Sequence, residues 1–334
     1  MKRVVGALCA LLVMSATGCS VHVREPTGGA VRDGGPIKLA VVPKAIGFDF
    51  WEKVRVGAMC AAEEKGDVDV FWDGVSDESD VSGQQSLLQD MLSQGTRNGL
   101  VYAATDAKAL ANITRNALKQ GTEVVNMDSG TSPQPPEVPV FATNNVAAAE
   151  QATDLLAQQL RGRGKVALVE FQPGTNTNDT RAEGFERRLQ RYPGMQLVSR
   201  QSSESDYNTA LQVTQDILTA HPDLDGIYAG NEPSVLGAAE AVRQSGKAGQ
   251  VKLIGWDTSE GQINALRDGV ITGLVAQNPF RMGHEAVSAA VDGIRGNPDP
   301  DPDTDTGSTM VTEQNLNNPE IQRILNPSCG DQPG

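Results

Sequence analysis

The chain has 334 residues, with 28 Lys and Arg against 42 Asp and Glu, and a formal net charge of −14. That length suggests about two domains of roughly 100–200 residues each, and 39% apolar with 21% charged residues is the balance of a globular protein. The acidic excess argues against nucleic acid as a partner, because phosphate recognition needs clustered Lys and Arg. Three His (His22, His221, His284) and four Cys (Cys9, Cys19, Cys60, Cys329) leave little material for a His/Cys metal centre or a Cys/His catalytic pair.

Lys2 and Arg3 precede an apolar run over residues 4–14, shorter than the roughly 20 residues of a membrane span. Ser15-Ala16-Thr17-Gly18-Cys19 follows, so residues 1–18 read as a secretory signal. The Gly-Cys ending resembles a bacterial lipobox, with Ala16 where Leu or Val is usual, and implies lipidation of Cys19. The alternative is an ordinary cleaved signal with an incidental cysteine. Loss of Lys2 and Arg3 on processing leaves 26 − 42 = −16. Residues 19–36, with Gly-Gly twice and no periodicity, read as a flexible tether that leaves His22 solvated. No later stretch approaches membrane length. The remainder is therefore expected to be soluble and extracytoplasmic, held by lipid at the outer face of the cytoplasmic membrane or in the periplasm. An oxidising compartment favours a disulfide between Cys60 and Cys329, clamping the tail to the first helix; the alternative is two unpaired thiols.

From residue 37 short apolar runs alternate with longer amphipathic ones. Strands are expected at 37–42, 68–72, 100–103 and 124–127, with helices at 50–64, 81–93 and 107–120 between them. Gly66, Gly95 and Gly121 stand where C-cap glycines belong. The pattern then restarts. Helices are expected at 146–160, 180–190, 207–220, 233–245, 259–267 and 280–294, and strands at 165–170, 196–199, 226–228, 251–255 and 271–276. Such alternation means parallel strands joined by crossover helices. So many strands exceed one ordinary sheet, and the expected class is α/β with two doubly wound, Rossmann-like lobes.

Ligands of open α/β sheets bind beyond the carboxyl ends of the strands. The polar residues at those ends are Lys44, Thr105-Asp106, Asp128-Ser129, Asn144-Asn145, Asn231-Glu232, Asp257 and Gln277-Asn278. Two facing lobes would gather them across a cleft.

In order along the chain stand Phe50-Trp51 before Gly57-Ala58, Asp128 after a strand, and Arg181-x-x-Gly184-Phe185. Thr219-Ala220-His221-Pro222-Asp223, Gly230-Asn231-Glu232, Leu236-Gly237-Ala238, Ile254-Gly255-Trp256-Asp257 and Ala276-Gln277-Asn278-Pro279 follow. Together they resemble the type I periplasmic substrate-binding proteins of sugar ABC importers, the ribose/galactose group, over residues 37 to about 315. The resemblance implies a three-crossing hinge and ligand roles for the matching positions.

Phe50 and Trp51 would pack on the C–H face of a sugar ring, or else pack inward at a helix start. Asp128 and Asp257 would each accept two hydroxyl hydrogen bonds, worth roughly 1.5–3 kcal/mol apiece, although Asp257 also suits a helix N-cap. Arg181 offers a planar fork to a ring oxygen and a hydroxyl, against the reading of a surface Arg. Asn231 and Gln277 supply paired donors and acceptors, or else shape turns and hinge. His284 reads as structural.

This sequence departs from the family pattern at Gly47-Phe48-Asp49 and at Ser129. The second-lobe aromatic is either replaced by Ser205 or shifted to Tyr207. Val42-Pro43-Lys44 and the later Asp73-Gly74 and Val81-Ser82-Gly83-Gln84 resemble the rhamnose/autoinducer-2 branch, in which Lys44 would reach the ligand.

The resemblance places the N-terminal lobe at 37–143 plus 278–305 and the C-terminal lobe at 144–277 plus 306–316, with a tail at 317–334. Its implied function is capture of a small carbohydrate by hinge closure and delivery to an ABC permease, by a monomer without a cofactor. A sugar or autoinducer-2 receptor feeding a chemoreceptor or sensor kinase stays open as an alternative. A secreted hydrolase using Asp128 and Asp257 ranks below both. Asp301, Asp303 and Asp305 have calcium-loop spacing, but Thr306 and Thr312 stand where Gly and Glu are needed, so no metal is expected.

Overall fold

The computed structural model describes residues 35–298 and 303–330. The signal 1–18, Cys19, nearly all of the tether and Asp301 lie outside the described residues.

The chain builds two six-stranded sheets in succession. The first takes β1 (Ile37–Val42), β2 (Val68–Trp72), β3 (Gly99–Tyr102), β4 (Glu123–Met127) and β5 (Val140–Ala142), with α1 (Asp49–Lys65), α2 (Val81–Ser93) and α3 (Ala111–Lys119) as crossovers. After α4 (Asn145–Gln159) the second takes β6 (Arg163–Glu170), β7 (Gly194–Ser202), β8 (Gly226–Ala229), β9 (Lys252–Trp256) and β10 (Gly273–Gln277). Its crossovers are α5 (Asn176–Leu189), α6 (Tyr207–Ala220), α7 (Glu232–Gln244) and α8 (Glu260–Arg267). The chain then returns through α9 (Pro279–Ile294) and β11 (Asp303–Asp305) to the first sheet, and through β12 (Ser308–Val311) and α10 (Pro319–Leu325) to the second. The orders β11-β5-β4-β3-β1-β2 and β12-β10-β9-β8-β6-β7 correspond strand for strand, which is the two-lobe α/β architecture expected from the alternating pattern. β12 is antiparallel to β10, whereas the crossover strands pair in parallel.

Each sheet is buried on both faces, so its strands are apolar at successive positions. Leu39 and Val41 pack with residues of α1 and α9, whereas Ala40 and Val42 pack with those of α2 and α3. In the second lobe α4 and α5 cover one face, and α6, α7, α8 and α10 cover the other.

The expected helix at 107–120 starts later, at Ala111. Asp106 Oδ1 accepts from the N–H groups of Lys108 (2.9 Å) and Ala109 (2.7 Å) and turns the chain first. The helix expected at 180–190 starts earlier, at Asn176, because Thr175 Oγ1 caps the Asn178 N–H at 3.1 Å. β5, β11, β12 and α10 were not anticipated.

The polypeptide passes between lobes at 143–144, at 278 and at 306–307. These passages are tied together. Thr306 N–H donates to Ala142 O (2.9 Å), Asn144 N–H to Asp305 Oδ1 (3.1 Å), and Thr143 Oγ1 to Gln277 Oε1 (2.9 Å). Asp305 thus serves the hinge, and among the described residues no group of three His, Cys, Asp or Glu is arranged to hold a metal. No helix of the described residues is long and apolar enough to cross a membrane. Cys60 of α1 forms a disulfide with Cys329. Because α10 buries Ile321 and Leu325 in the second lobe's core, this bond is a fourth covalent link between the lobes.

Candidate ligand-binding cleft

Lys44 follows β1, Asp128 β4, Phe171 β6, Asn231 β8 and Asp257 β9, while Gln277 ends β10. All are carboxyl-end positions, and β1 and β6 are the strands at which each sheet order reverses. The two Asp residues are held alike. Asp128 N–H donates to Phe141 O at 2.8 Å and Asp257 N–H to Val275 O at 2.9 Å, and both residues adopt left-handed backbone, φ 59° and 75°. Asp tolerates that conformation better than most non-glycine residues, and strained backbone gathers at functional sites.

Between the lobes lies a cleft of about 300 Å³, open solvent included. Its wall includes Lys44, Phe50, Trp51, Asp128, Arg181, Asn231, Asp257 and Gln277, all eight residues singled out from the sequence. Phe48, Glu78, Phe171, Thr177, Glu232 and Pro233 join them. Tyr207 is 40% exposed on α6 and is not part of the wall; the second lobe's aromatic surface is Phe171 instead.

Lys44 is fully enclosed. Its Nζ lies 2.7 Å from Asp128 Oδ2 and donates to Thr177 Oγ1 of the other lobe, also at 2.7 Å. Arg181 donates from Nε to Asn145 Oδ1 (2.8 Å), from Nη1 to Gly230 O (2.8 Å) and from Nη2 to Gln277 Oε1 (3.0 Å). Its guanidinium carbon stands 3.8 Å from the Trp256 ring centroid and 5.4 Å from that of Phe171. Three of its five N–H groups are so engaged, and two remain for a guest. Gln277 Nε2 donates to Asp257 Oδ1 at 2.6 Å. Burial pushes the Asp257 carboxyl up, and nearby Arg181 opposes that shift.

Asn231 is both N-cap and wall. Its Oδ1 accepts the Ser234 N–H (3.2 Å) and its Nδ2 donates to Ser205 Oγ (3.0 Å), which in turn donates to Glu78 Oε2 across the cleft (2.6 Å). Glu78 also receives the Trp51 indole N–H at 3.2 Å, and the Phe50 and Trp51 rings meet edge-on at 4.8 Å. The N-cap of α8 is Ser259, within a capping box, so Asp257 is released from that duty. His284 stands outside the cleft, 2.9 Å from Glu64.

The wall thus carries four carboxylates (Glu78, Asp128, Glu232, Asp257) against two cations, alongside aromatic surfaces from both lobes. Acceptors for hydroxyl protons, a guanidinium and an ammonium for hydroxyl oxygens, and rings for C–H faces suit a small neutral polyhydroxy molecule. The excess of carboxylates disfavours an anionic one.

The chain belongs to the periplasmic binding proteins: the family model for the periplasmic binding protein domain matches residues 39–298. It is 32% identical over 276 residues to the D-ribose/D-allose-binding protein of Pseudomonas aeruginosa, covering 80% of this chain and 85% of that protein. It is 28% identical over 299 residues to the ribose import binding protein of Bacillus subtilis, covering 89% and 94%. Among solved structures, a carbohydrate transporter solute-binding protein of Agrobacterium radiobacter in complex with D-arabinose superposes with a TM-score of 0.84 at 28% identity, covering 88% of this chain and all of that one. An ABC transporter solute-binding protein of Agrobacterium vitis with bound D-fucose gives 0.83 at 28% identity, covering 86% and 99%.

Proposed function

We propose that this protein captures a neutral monosaccharide between its lobes and presents it to an ABC permease. The observation that carries the reading is the cleft itself: the strand-end carboxylates of both lobes, the stacked Arg181 and the rings of Phe50, Trp51 and Phe171 line one cleft between the lobes. The relatives that bind ribose, allose, arabinose or fucose set the candidates. In this reading the ligand touches both lobes only when they are closed, so its differential affinity drives closure. No bond is broken. The working lobes are 37–143 plus 278–305 and 144–277 plus 306–316, and the protein acts as a monomer anchored through a lipid on Cys19.

The buried Lys44–Asp128 pair in the cleft favours one second reading, an autoinducer-2-type ligand and a sensing role. A thermal-shift screen with D-ribose, D-allose, D-arabinose, D-fucose and autoinducer-2 separates the two. The expected outcome is a concentration-dependent rise in Tm with a monosaccharide, reduced in Asp128→Asn and in Arg181→Lys. A rise that both variants retain in full rejects the site, and no rise with any sugar rejects the function.

A further inference from the structure

The N-terminus of α1 has no cap of its own: its N-cap residue, Phe48, makes no side-chain hydrogen bond to the first turn. The missing acceptor comes from the other lobe. Glu232 Oε2 receives the Phe50 N–H at 3.1 Å, and Oε1 receives the Asp49 N–H at 3.4 Å. The exchange is mutual, because Asp49 Oδ2 receives the N–H of Glu260, first residue of α8, at 3.2 Å. Lys53, one turn further along α1, donates to Thr258 O at 3.0 Å beside the same contacts.

We propose that Glu232 and Asp49 are positioning residues for ligand capture, which hold the lobes shut by capping helices across the cleft. The affinity part of the proposal rests on the sugar-capture reading; the closure part does not. Unpaired N–H groups at a helix N-terminus favour a hydrogen-bond acceptor there. In the open form those N–H groups would face water. In the closed form they are satisfied only through the partner lobe, so the acceptors contribute to closure selectively.

Glu232 also makes closure sensitive to pH. The charged groups facing it are Asp49 and Lys53 from α1 and Asp257 from the loop after β9, with Lys44, Glu78, Asp128 and Arg181 on the same cleft wall. Burial and Asp257 push the Glu232 carboxyl up to about 7, against the opposing pull of the two backbone N–H groups. A carboxyl whose value is raised on closure binds extra protons in the closed form. Its contribution is fully present below the usual carboxylate range, and it is lost as pH rises through about 7.

The test uses the full chain with spin labels at Asp77→Cys and Asn208→Cys, one exposed position per lobe. Interlobe distances are read by pulsed electron resonance at pH 6 and pH 8, with and without D-ribose or D-allose. In the parent the closed population should be larger at pH 6. Glu232→Ala and, to a lesser degree, Asp49→Ala should deplete it at both pH values and weaken sugar binding by about tenfold or more, the cost of stranding buried donors. Glu232→Gln, which keeps an acceptor but cannot titrate, should close equally at both pH values. Closed populations unchanged in Glu232→Ala, a pH difference that survives in Glu232→Gln, or a parent that never closes would each overturn the proposal. A closed population lost in Glu232→Ala while no sugar binds would keep the latch and reject the sugar. Equal sugar affinity in the parent and Glu232→Ala would do the reverse.

Discussion

Lys44 and Asp128 test how much of the cleft is recognition and how much is scaffold. Both side chains are enclosed, and stranding one member of a buried pair costs about 3–5 kcal/mol. Asp128→Asn keeps a residue that accepts left-handed backbone, so chemical denaturation should show a loss approaching that size from the unpaired ammonium. Lys44→Met combined with Asp128→Asn should regain most of the stability without regaining sugar binding. Arg181 poses a different question. Its plane is fixed by Trp256 on one side and by three acceptors around its edge, and Lys supplies neither a plane nor a fork. Arg181→Lys should lose about tenfold or more in sugar affinity, read by calorimetry, with the fold retained. Lys44, Asp128, Asn231, Asp257 and Gln277 were legible because strand-end position and side-chain chemistry are both local properties, whereas Phe50 and Trp51 on α1 and Arg181 on α5 were named through the family resemblance. Glu78 and Thr177 were not named, and Glu232 was noted only as a polar residue at a strand end, because each matters through a partner in the other lobe, 127, 133 and 182 positions away. Phe171 was missed for a plainer reason. It continues an apolar strand, so nothing in its neighbourhood distinguishes a wall aromatic from one more core residue.

At the scale of elements, α1 and α9 cross so closely that glycine is needed on both. A Cβ on Gly57 would stand 2.0 Å from Phe280 O, and one on Gly283 would stand 2.0 Å from Val54 O. Gly57→Ala must push α9 away from α1 at a cost of about 1–3 kcal/mol. Its Tm should fall by several degrees in a thermal scan, and because α9 begins at a hinge passage, sugar affinity should fall with it. The strands and helices of the crossover units were readable because apolar runs, capping residues and C-cap glycines mark them. The elements that were missed are short or lack such a signature. β5 and β11 have three residues each, too few to show alternation, and their pairing joins segments more than 160 positions apart. α10 has seven residues, and its Asn318-Pro319 start was a legible cap and first-turn signal whose apolar Ile321 and Leu325 found a core the tail was not expected to share. The late start of α3 shows the opposite case, where helical periodicity extends back across a turn that Asp106 imposes.

For the molecule as a whole, the bond between Cys60 and Cys329 spans 269 positions. In the chain-entropy account a crosslink over that length stabilises by about 5–6 kcal/mol. Reduction, or Cys329→Ser, should lower the denaturation midpoint, and a midpoint that does not move would show that the crosslink contributes nothing to the fold. The same bond makes everything from residue 60 to residue 329 a covalent ring that runs through both lobes. A protease that cuts such a ring once liberates nothing, because the two pieces remain joined through sulfur. A nicked sample should therefore run as a single full-mass species without reductant and as two fragments with it. For a protein exported into surroundings where proteases are met and no cytoplasm is at hand to replace it quickly, the first cut would leave a single covalently joined molecule.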